Sequence, residues 1–208
     1  MNTMYTQFRT RIGFLASHSG SNMQSIIDAC KSGRLQADPV VVISNNGNSG
    51  ALDRAYSEGI PAFYISSKNY PDAEVEDKAI RDVLINHQVN LIVLAGFMKK
   101  IGPVTLDEFR GRILNIHPAL LPKHGGKGMY GKFVHEQVLA SGDKQTGVTV
   151  HLVTGDYDRG PILAQKIVPV LEGDTVESLA NRVLEVEHQI YTETIADIIS
   201  GAIQLPQS

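Results

Sequence analysis

Asn115 and His117 stand two residues apart in the stretch Arg112-Ile113-Leu114-Asn115-Ile116-His117-Pro118-Ala119-Leu120-Leu121-Pro122. Ile113 to Ile116 reads as a buried strand, and a residue preceding proline is pushed out of the helical region, so the chain stays extended up to Pro118. Side chains alternate along a strand; Asn115 and His117 therefore point one way, Leu114 and Ile116 the other. This sets an amide donor beside a titratable imidazole at a strand end, and in open parallel sheets that end is where ligands bind. On its own a buried histidine is more often a satisfied core residue than a catalyst, so the reading depends on what else can reach it.

Three other segments carry polar groups that could reach it. Ser17-His18-Ser19-Gly20-Ser21-Asn22 lies between a strand, Ile12 to Ala16, and a helix, Met23 to Lys31. Free backbone N–H groups and the positive helix end would make this loop an anion site, while Ser21 or Asn22 would equally serve as an ordinary helix cap. Gly20 is its only glycine, so the three-glycine dinucleotide fingerprint is absent. The loop Gly155-Asp156-Tyr157-Asp158-Arg159-Gly160-Pro161 joins two strands. Paired aspartates are usual turn formers, yet this loop could bring a carboxylate to the His117 ring. Glu187 falls on the apolar side of the last helix, a costly place for an unpaired carboxylate. A buried salt bridge, a drift of the apolar stripe and a ligand contact would each account for it.

Two suggestive motifs fail on inspection. Gly126 to Lys132 fits G-x-x-x-x-G-K, but Phe133 occupies the position where serine or threonine must ligate magnesium, and the segment follows Leu121-Pro122 instead of leaving a strand directly. It reads better as a flexible, basic surface loop able to steer an anionic substrate. His135-Glu136 would need a histidine at position 139, which is Leu139. No His, Cys and carboxylate set has metal-ligand spacing, so no metal is expected.

The elements that must position these residues alternate along the chain. Residues 1–9 read as a disordered lead, and 10–208 as a single domain. Val40 to Ser44 is a second strand; a helix, Ala51 to Ser57, and a strand, Ala62 to Ile65, follow. Residues 72–88 form an amphipathic helix with Val75, Ala79, Ile80, Val83 and Leu84 inward. Leu91 to Ala95 is a continuous apolar run, typical of a central parallel strand, and it opens into Gly96 to Lys100 at the same edge as His117. Gly147 to Thr154 alternates, with Val148, Val150 and Leu152 on one face and Thr149, His151 and Val153 on the other; Ile162 to Val170 returns as a strand, and the last helix runs from Thr175 to Ser200. This order implies an α/β fold: one doubly wound, mostly parallel sheet flanked by helices.

Composition narrows the partners. Apolar content of 42% and charged content of 20% suit a globular chain, and a net charge of −3 gives no general reason to bind nucleic acid or an anionic membrane. The single cysteine, Cys30, cannot form an intrachain disulfide and falls on the helical stripe Met23, Ile26, Ile27, Cys30, which favours packing over nucleophilic chemistry. No apolar run precedes Arg11 that could act as a signal sequence, and no stretch approaches membrane-spanning length. A cytoplasmic setting is expected.

Taken together, Asn115-Ile116-His117-Pro118 with Leu120-Leu121-Pro122, Gly20-Ser21-Asn22 and Asp158-Arg159-Gly160-Pro161 resemble the phosphoribosylglycinamide formyltransferases, folate-dependent enzymes of purine synthesis. The resemblance covers the chain from Arg11 onward and implies a formyltransferase-like (Rossmann-like) fold. It implies Asn115, His117 and Asp158 as the catalytic trio. Gly20, Ser21 and Asn22 would cradle the ribonucleotide phosphate, and Glu187 would hold the glycinamide-ribose portion. Met98, Lys99, Lys100 and Ile101, together with Asn115 and the loop Thr154, Gly155, Asp156, Tyr157 and Asp158, would line the folate pocket. The partners so implied are glycinamide ribonucleotide and the co-substrate 10-formyltetrahydrofolate, with no metal, nucleic acid or membrane, and with a homodimer allowed.

The chemistry fits those residue types. An amine attacks the formyl carbon and gives a tetrahedral intermediate whose oxygen gathers negative charge; the Asn115 amide and a protonated His117 can donate to it. Asp158 would orient the imidazolium and assist proton movement toward the leaving nitrogen. Three positions depart from the family pattern: His18 replaces a glycine, Ala73 stands where some relatives carry a basic residue, and Gly125 to Gly131 replaces a proline-containing loop. The nearest rivals are formyltetrahydrofolate hydrolase and methionyl-transfer-RNA formyltransferase, whose usual extra domains do not fit in this length. A non-catalytic phosphate-binding module would keep the Gly20 loop but have no need of the trio.

Overall fold

The computed structural model describes residues 9–206. They form one seven-stranded sheet in the order β3-β2-β1-β4-β5-β6-β7, built from β1 (Thr10–Leu15), β2 (Ala37–Ser44), β3 (Ala62–Tyr64), β4 (Leu91–Leu94), β5 (Ile113–His117), β6 (Gln145–Leu152) and β7 (Ile162–Pro169). The helices are α1 (Ser21–Lys31), α2 (Gly50–Ser57), α3 (Ala73–Asn86), α4 (Pro103–Glu108), α5 (Lys132–Ala140) and α6 (Val176–Ser200). The doubly wound α/β expectation holds. β1 through β5 pair in parallel, while β6 and β7 pair antiparallel at one side of the sheet.

Strand alternation splits the apolar residues between two layers. Ile12, Phe14, Leu91, Val93, Leu114 and Ile116 pack with α1 and α6 on one face; Leu15, Ile43, Ile92, Leu94 and Ile113 pack with α3 and Phe109 on the other. β4 is the middle strand and is buried throughout, as its unbroken apolar run requires. Successive strands are added on opposite sides of the β1–β4 pair, so the crevice above their carboxyl ends is the switch point where such sheets take ligands.

Several boundaries shift for physical reasons. α1 starts at Ser21, not Met23, because Gly20 turns the chain with a left-handed φ of 72° and becomes the residue before the helix. α3 does not bury Val75, which is 51% exposed; Glu76 and Asp77 take the inward positions instead. Asp77 is inward because its carboxylate accepts the Val104 N–H at 2.7 Å, the Thr105 N–H at 3.2 Å and the Thr105 hydroxyl at 2.6 Å, capping α4. α5 begins at Lys132, inside the segment expected to be loop. Of the expected 1–9 lead, residues 1–8 lie outside the described residues, and Arg9 pairs with Asp38 at 3.1 Å.

α6 is fixed at both ends. Thr175 and Ser178 form a reciprocal capping box, and Gly201 closes the helix with a left-handed φ of 81°. On its buried face the Tyr191 hydroxyl donates to the Leu94 carbonyl at 3.0 Å and lies 3.1 Å from that of Leu114, bonding the helix to the end of β4 and the start of β5. No helix among the described residues is long and apolar enough to cross a membrane.

Candidate active site

β5 delivers Asn115 and His117 to one side of the sheet, as alternation requires, and His117 is 3% exposed. The His117 Nε2 atom sits 2.8 Å from the His124 carbonyl oxygen. A carbonyl only accepts, so Nε2 carries the proton and Nδ1 is the bare nitrogen of the neutral ring. Nδ1 is 3.7 Å from Asp158 Oδ2. The loop between β6 and β7 therefore does bring a carboxylate to this imidazole, and Asp158 adopts a φ of 52° to do so.

A residue the sequence reading left unassigned completes the group. His151 on β6 lies directly opposite Asn115 in the antiparallel register. Its Nδ1 is 2.9 Å from the Leu152 carbonyl, which leaves Nε2 3.1 Å from the Asn115 amide nitrogen and 3.5 Å from Asp158 Oδ1. Nε2 can accept from the amide or, once protonated, donate to the carboxylate. The signal was present in the alternation of Thr149 and His151; what was missing was that β6 runs antiparallel beside β5. A second unassigned contact is the Gly126 N–H, which donates to Asp158 Oδ2 at 2.8 Å from the glycine-rich loop.

Charge follows from these contacts. Burial pushes the His117 imidazole below its ordinary value, outweighing the raising effects of Asp158 and the His124 carbonyl. Burial thus favours the neutral ring before any substrate binds. Burial alone would raise the Asp158 carboxyl, but the His151 hydrogen bond, the His117 charge and the Gly126 N–H together hold it below the usual carboxylate range.

A second polar cluster stands at the start of α1. Gly20 admits no side chain: a Cβ there would come within 2.9 Å of the Ala51 Cα. No side chain caps α1, so Ser21 and Asn22 are not caps but its first residues, and the N–H groups of the opening turn have no partner within the helix. Asn22 reaches across to α6 and donates to Glu187 Oε2 at 2.6 Å. Glu187 is 9% exposed and forms no salt bridge among the described residues; burial pushes its carboxyl up to about 7 against the Asn22 hydrogen bond. The Asn22 amide oxygen is buried without a partner.

Between the clusters runs the loop after β4. Met98 lies at its exposed turn and donates its N–H to the Ser17 hydroxyl oxygen at 2.8 Å; that hydroxyl in turn donates to Asn45 Oδ1 at 2.6 Å. Lys99, Lys100 and Ile101 wall a cleft of about 70 Å³ together with Asn115, His151 and Asp158. Thr154, Asp156 and Tyr157 line the same cleft, whereas Gly155 faces a neighbouring cavity of about 580 Å³. Met98 lines neither cavity. His18 is exposed. Among the described residues there is no group of three or more His, Cys, Asp or Glu able to hold a metal ion. Cys30 is half-buried and its thiol is pushed up to about 11 chiefly by burial, which suits packing and not nucleophilic attack.

Known proteins resemble this chain in sequence and fold. Residues 10–195 match the family model described as formyl transferase. Phosphoribosylglycinamide formyltransferase of Haemophilus influenzae is 40% identical over 195 residues, covering 94% of this chain and 90% of that protein. The trifunctional purine biosynthetic protein adenosine-3 of Chironomus tentans is 41% identical over 199 residues, but the chain spans only 14% of its length. Among solved structures, glycinamide ribonucleotide transformylase 1 of Symbiobacterium toebii superposes with a TM-score of 0.91 at 40% identity, covering 99% of this chain and 95% of that one.

Proposed function

The chain belongs to the formyl transferase family, and from that premise we propose that it transfers the formyl group of 10-formyltetrahydrofolate to the amine of glycinamide ribonucleotide in purine biosynthesis. The observation that carries the reading is the His117 ring, with Nε2–H bound to the His124 carbonyl and Nδ1 bare beside Asp158.

In this reading the amine nitrogen attacks the formyl carbon, and its proton passes to the neutral His117 at Nδ1. The resulting imidazolium is stabilised by Asp158 and, with the Asn115 amide, donates to the oxygen that has become negative. Collapse breaks the bond from carbon to the folate nitrogen, which takes the proton back from Nδ1. His151 holds the Asn115 amide and Asp158 in one frame. No covalent enzyme intermediate and no metal is needed.

The opening turn of α1, with Gly20, Ser21 and Asn22, seats the phosphate on its free N–H groups. Glu187, whose carboxyl can donate or accept, and the unpartnered Asn22 oxygen, which accepts, are the groups assigned to the sugar and glycinamide portion. Lys99, Lys100, Ile101 and the residues 154–158 border the folate in this reading, and a cytoplasmic setting is proposed with it.

The deciding experiment is an absorbance assay with purified protein, glycinamide ribonucleotide and 10-formyltetrahydrofolate, run beside His117→Ala. Formyl-folate consumption that depends on the ribonucleotide is expected, and is lost in the variant. Release of free formate without ribonucleotide would assign the chain to hydrolysis instead.

A further inference from the structure

Glu76 on α3 is a carboxylate at 2% exposure. One of its oxygens is ion-paired to the Lys99 ammonium, and the other, Oε1, is buried without a partner. An isolated carboxylate is held in such a place only at considerable cost, so the Lys99 contact is what makes the position tenable. Both residues wall the cavity of about 580 Å³, whose apolar lining includes Ile80, Ile101 and Leu106. Lys99, Lys100 and Ile101 also wall the cleft of about 70 Å³ that holds Asn115, His151 and Asp158, so the two spaces share a partition.

A pocket that buries a ligand of drug size has on the order of 300–1,000 Å³. Formyl-folate must therefore extend from the small cleft into the wide cavity beside it. Of its two ends, the pterin is uncharged and the other bears glutamate carboxylates. A lysine-bearing wall is complementary to the second.

The cations on that wall are nevertheless already engaged. Lys99 is held by Glu76, and the Lys100 ammonium stands 5.7 Å from the Tyr157 ring centroid. The wall carries Glu74, paired with Lys78 at 2.6 Å, Glu76, and Asp77, bound to the start of α4, beside its two lysines, and residue 73 is alanine. Resting on the activity proposed above, we infer that Glu76 is a specificity-determining residue for the co-substrate: its buried carboxylate fixes Lys99 and cancels its charge. The cavity accepts the arm of a formyl-folate with one glutamate, and further γ-linked glutamates add little to binding.

The test is a binding titration of the full chain with tetrahydrofolate carrying one or five glutamates, in the unaltered protein and in Glu76→Gln, at low and high salt. The unaltered protein is expected to bind the two within about threefold of each other. In Glu76→Gln, which keeps the side-chain volume and frees Lys99, the five-glutamate form gains about fivefold over the one-glutamate form, the scale of one exposed ion pair, and high salt erases the gain. Glu76→Leu, an apolar replacement of similar size, gives the same comparison if the glutamine variant does not fold. A greater than about threefold preference for the long tail in the unaltered protein overturns the inference with no variant needed. Variants that keep the unaltered ratio overturn it as well, as does failure to bind either compound. Tail-indifferent binding without formylation of glycinamide ribonucleotide would refute the proposed activity and leave the role of Glu76 standing.

Discussion

Asn22 and Glu187, 165 residues apart in the chain, meet in a 2.6 Å hydrogen bond that joins the first turn of α1 to the buried face of α6. The bond brings the end of a phosphate-type loop and a lone carboxylate to one place. Burial, working against that bond, pushes the Glu187 carboxyl up to about 7 from 4.5, so the carboxyl holds its proton below that pH.

Glu187→Gln is expected to stabilise the ligand-free protein at alkaline pH. Between pH 4.5 and about 7 the unfolded chain loses this proton while the folded chain keeps it, so native stability falls as pH rises through that window. Glutamine removes the loss, and the gain grows toward roughly 3 kcal/mol above pH 7 and vanishes near pH 4. Urea unfolding at pH 4.5 and pH 8 measures it. The same variant raises KM for glycinamide ribonucleotide.

In the proposed reaction, Asn115→Ala removes one of the two donors to the oxyanion. Turnover is expected to fall by a factor of hundreds, on the order of 3 kcal/mol in activation free energy, with a smaller change in KM for formyl-folate. Steady-state kinetics at saturating ribonucleotide checks this, and near-normal turnover would refute the assigned role.

Asp158→Asn acts on the pH profile through His117. The carboxylate raises the imidazole and burial lowers it, so removing the carboxylate leaves burial and the charges of His151 and His124 to depress the ring further. In the proposed reaction the acid limb of kcat/KM, set by protonation of Nδ1, should move to lower pH, while kcat falls roughly a hundredfold for want of a partner to the imidazolium. A limb that stays in place would separate His117 from the titration.

Gly20→Ala tests the proposed phosphate seat. The residue has a φ of 72°, and an added Cβ would lie 2.9 Å from the Ala51 Cα. The variant should lose about 1–2 kcal/mol from the left-handed backbone alone, more from the clash, and bind glycinamide ribonucleotide more weakly with kcat less affected. Unfolding curves and KM together decide it.

Most of the frame could be read from the sequence because it is written in period-two and apolar-run patterns: β1, β4, β5 and β6 appear within a residue or two of where alternation placed them, and Glu187 stood out as a carboxylate on an apolar stripe. What escaped notice depends on partners distant in the chain. Val75 looked inward by periodicity, but Glu76 and Asp77 win the inward positions because Lys99 and the N-terminus of α4 hold them. His151 was recognisable as a face residue, yet only the antiparallel register sets it against Asn115.

Ser17 closes the account of how the crevice is framed. One hydroxyl accepts the Met98 N–H and donates to Asn45, while the Ser17 N–H donates to the Gly96 carbonyl at 3.0 Å. Three loops that follow three neighbouring strands are thereby riveted at a single small side chain. A frame with two sockets cannot have one reseated alone, so slack introduced at this rivet would be felt by both reactants at once.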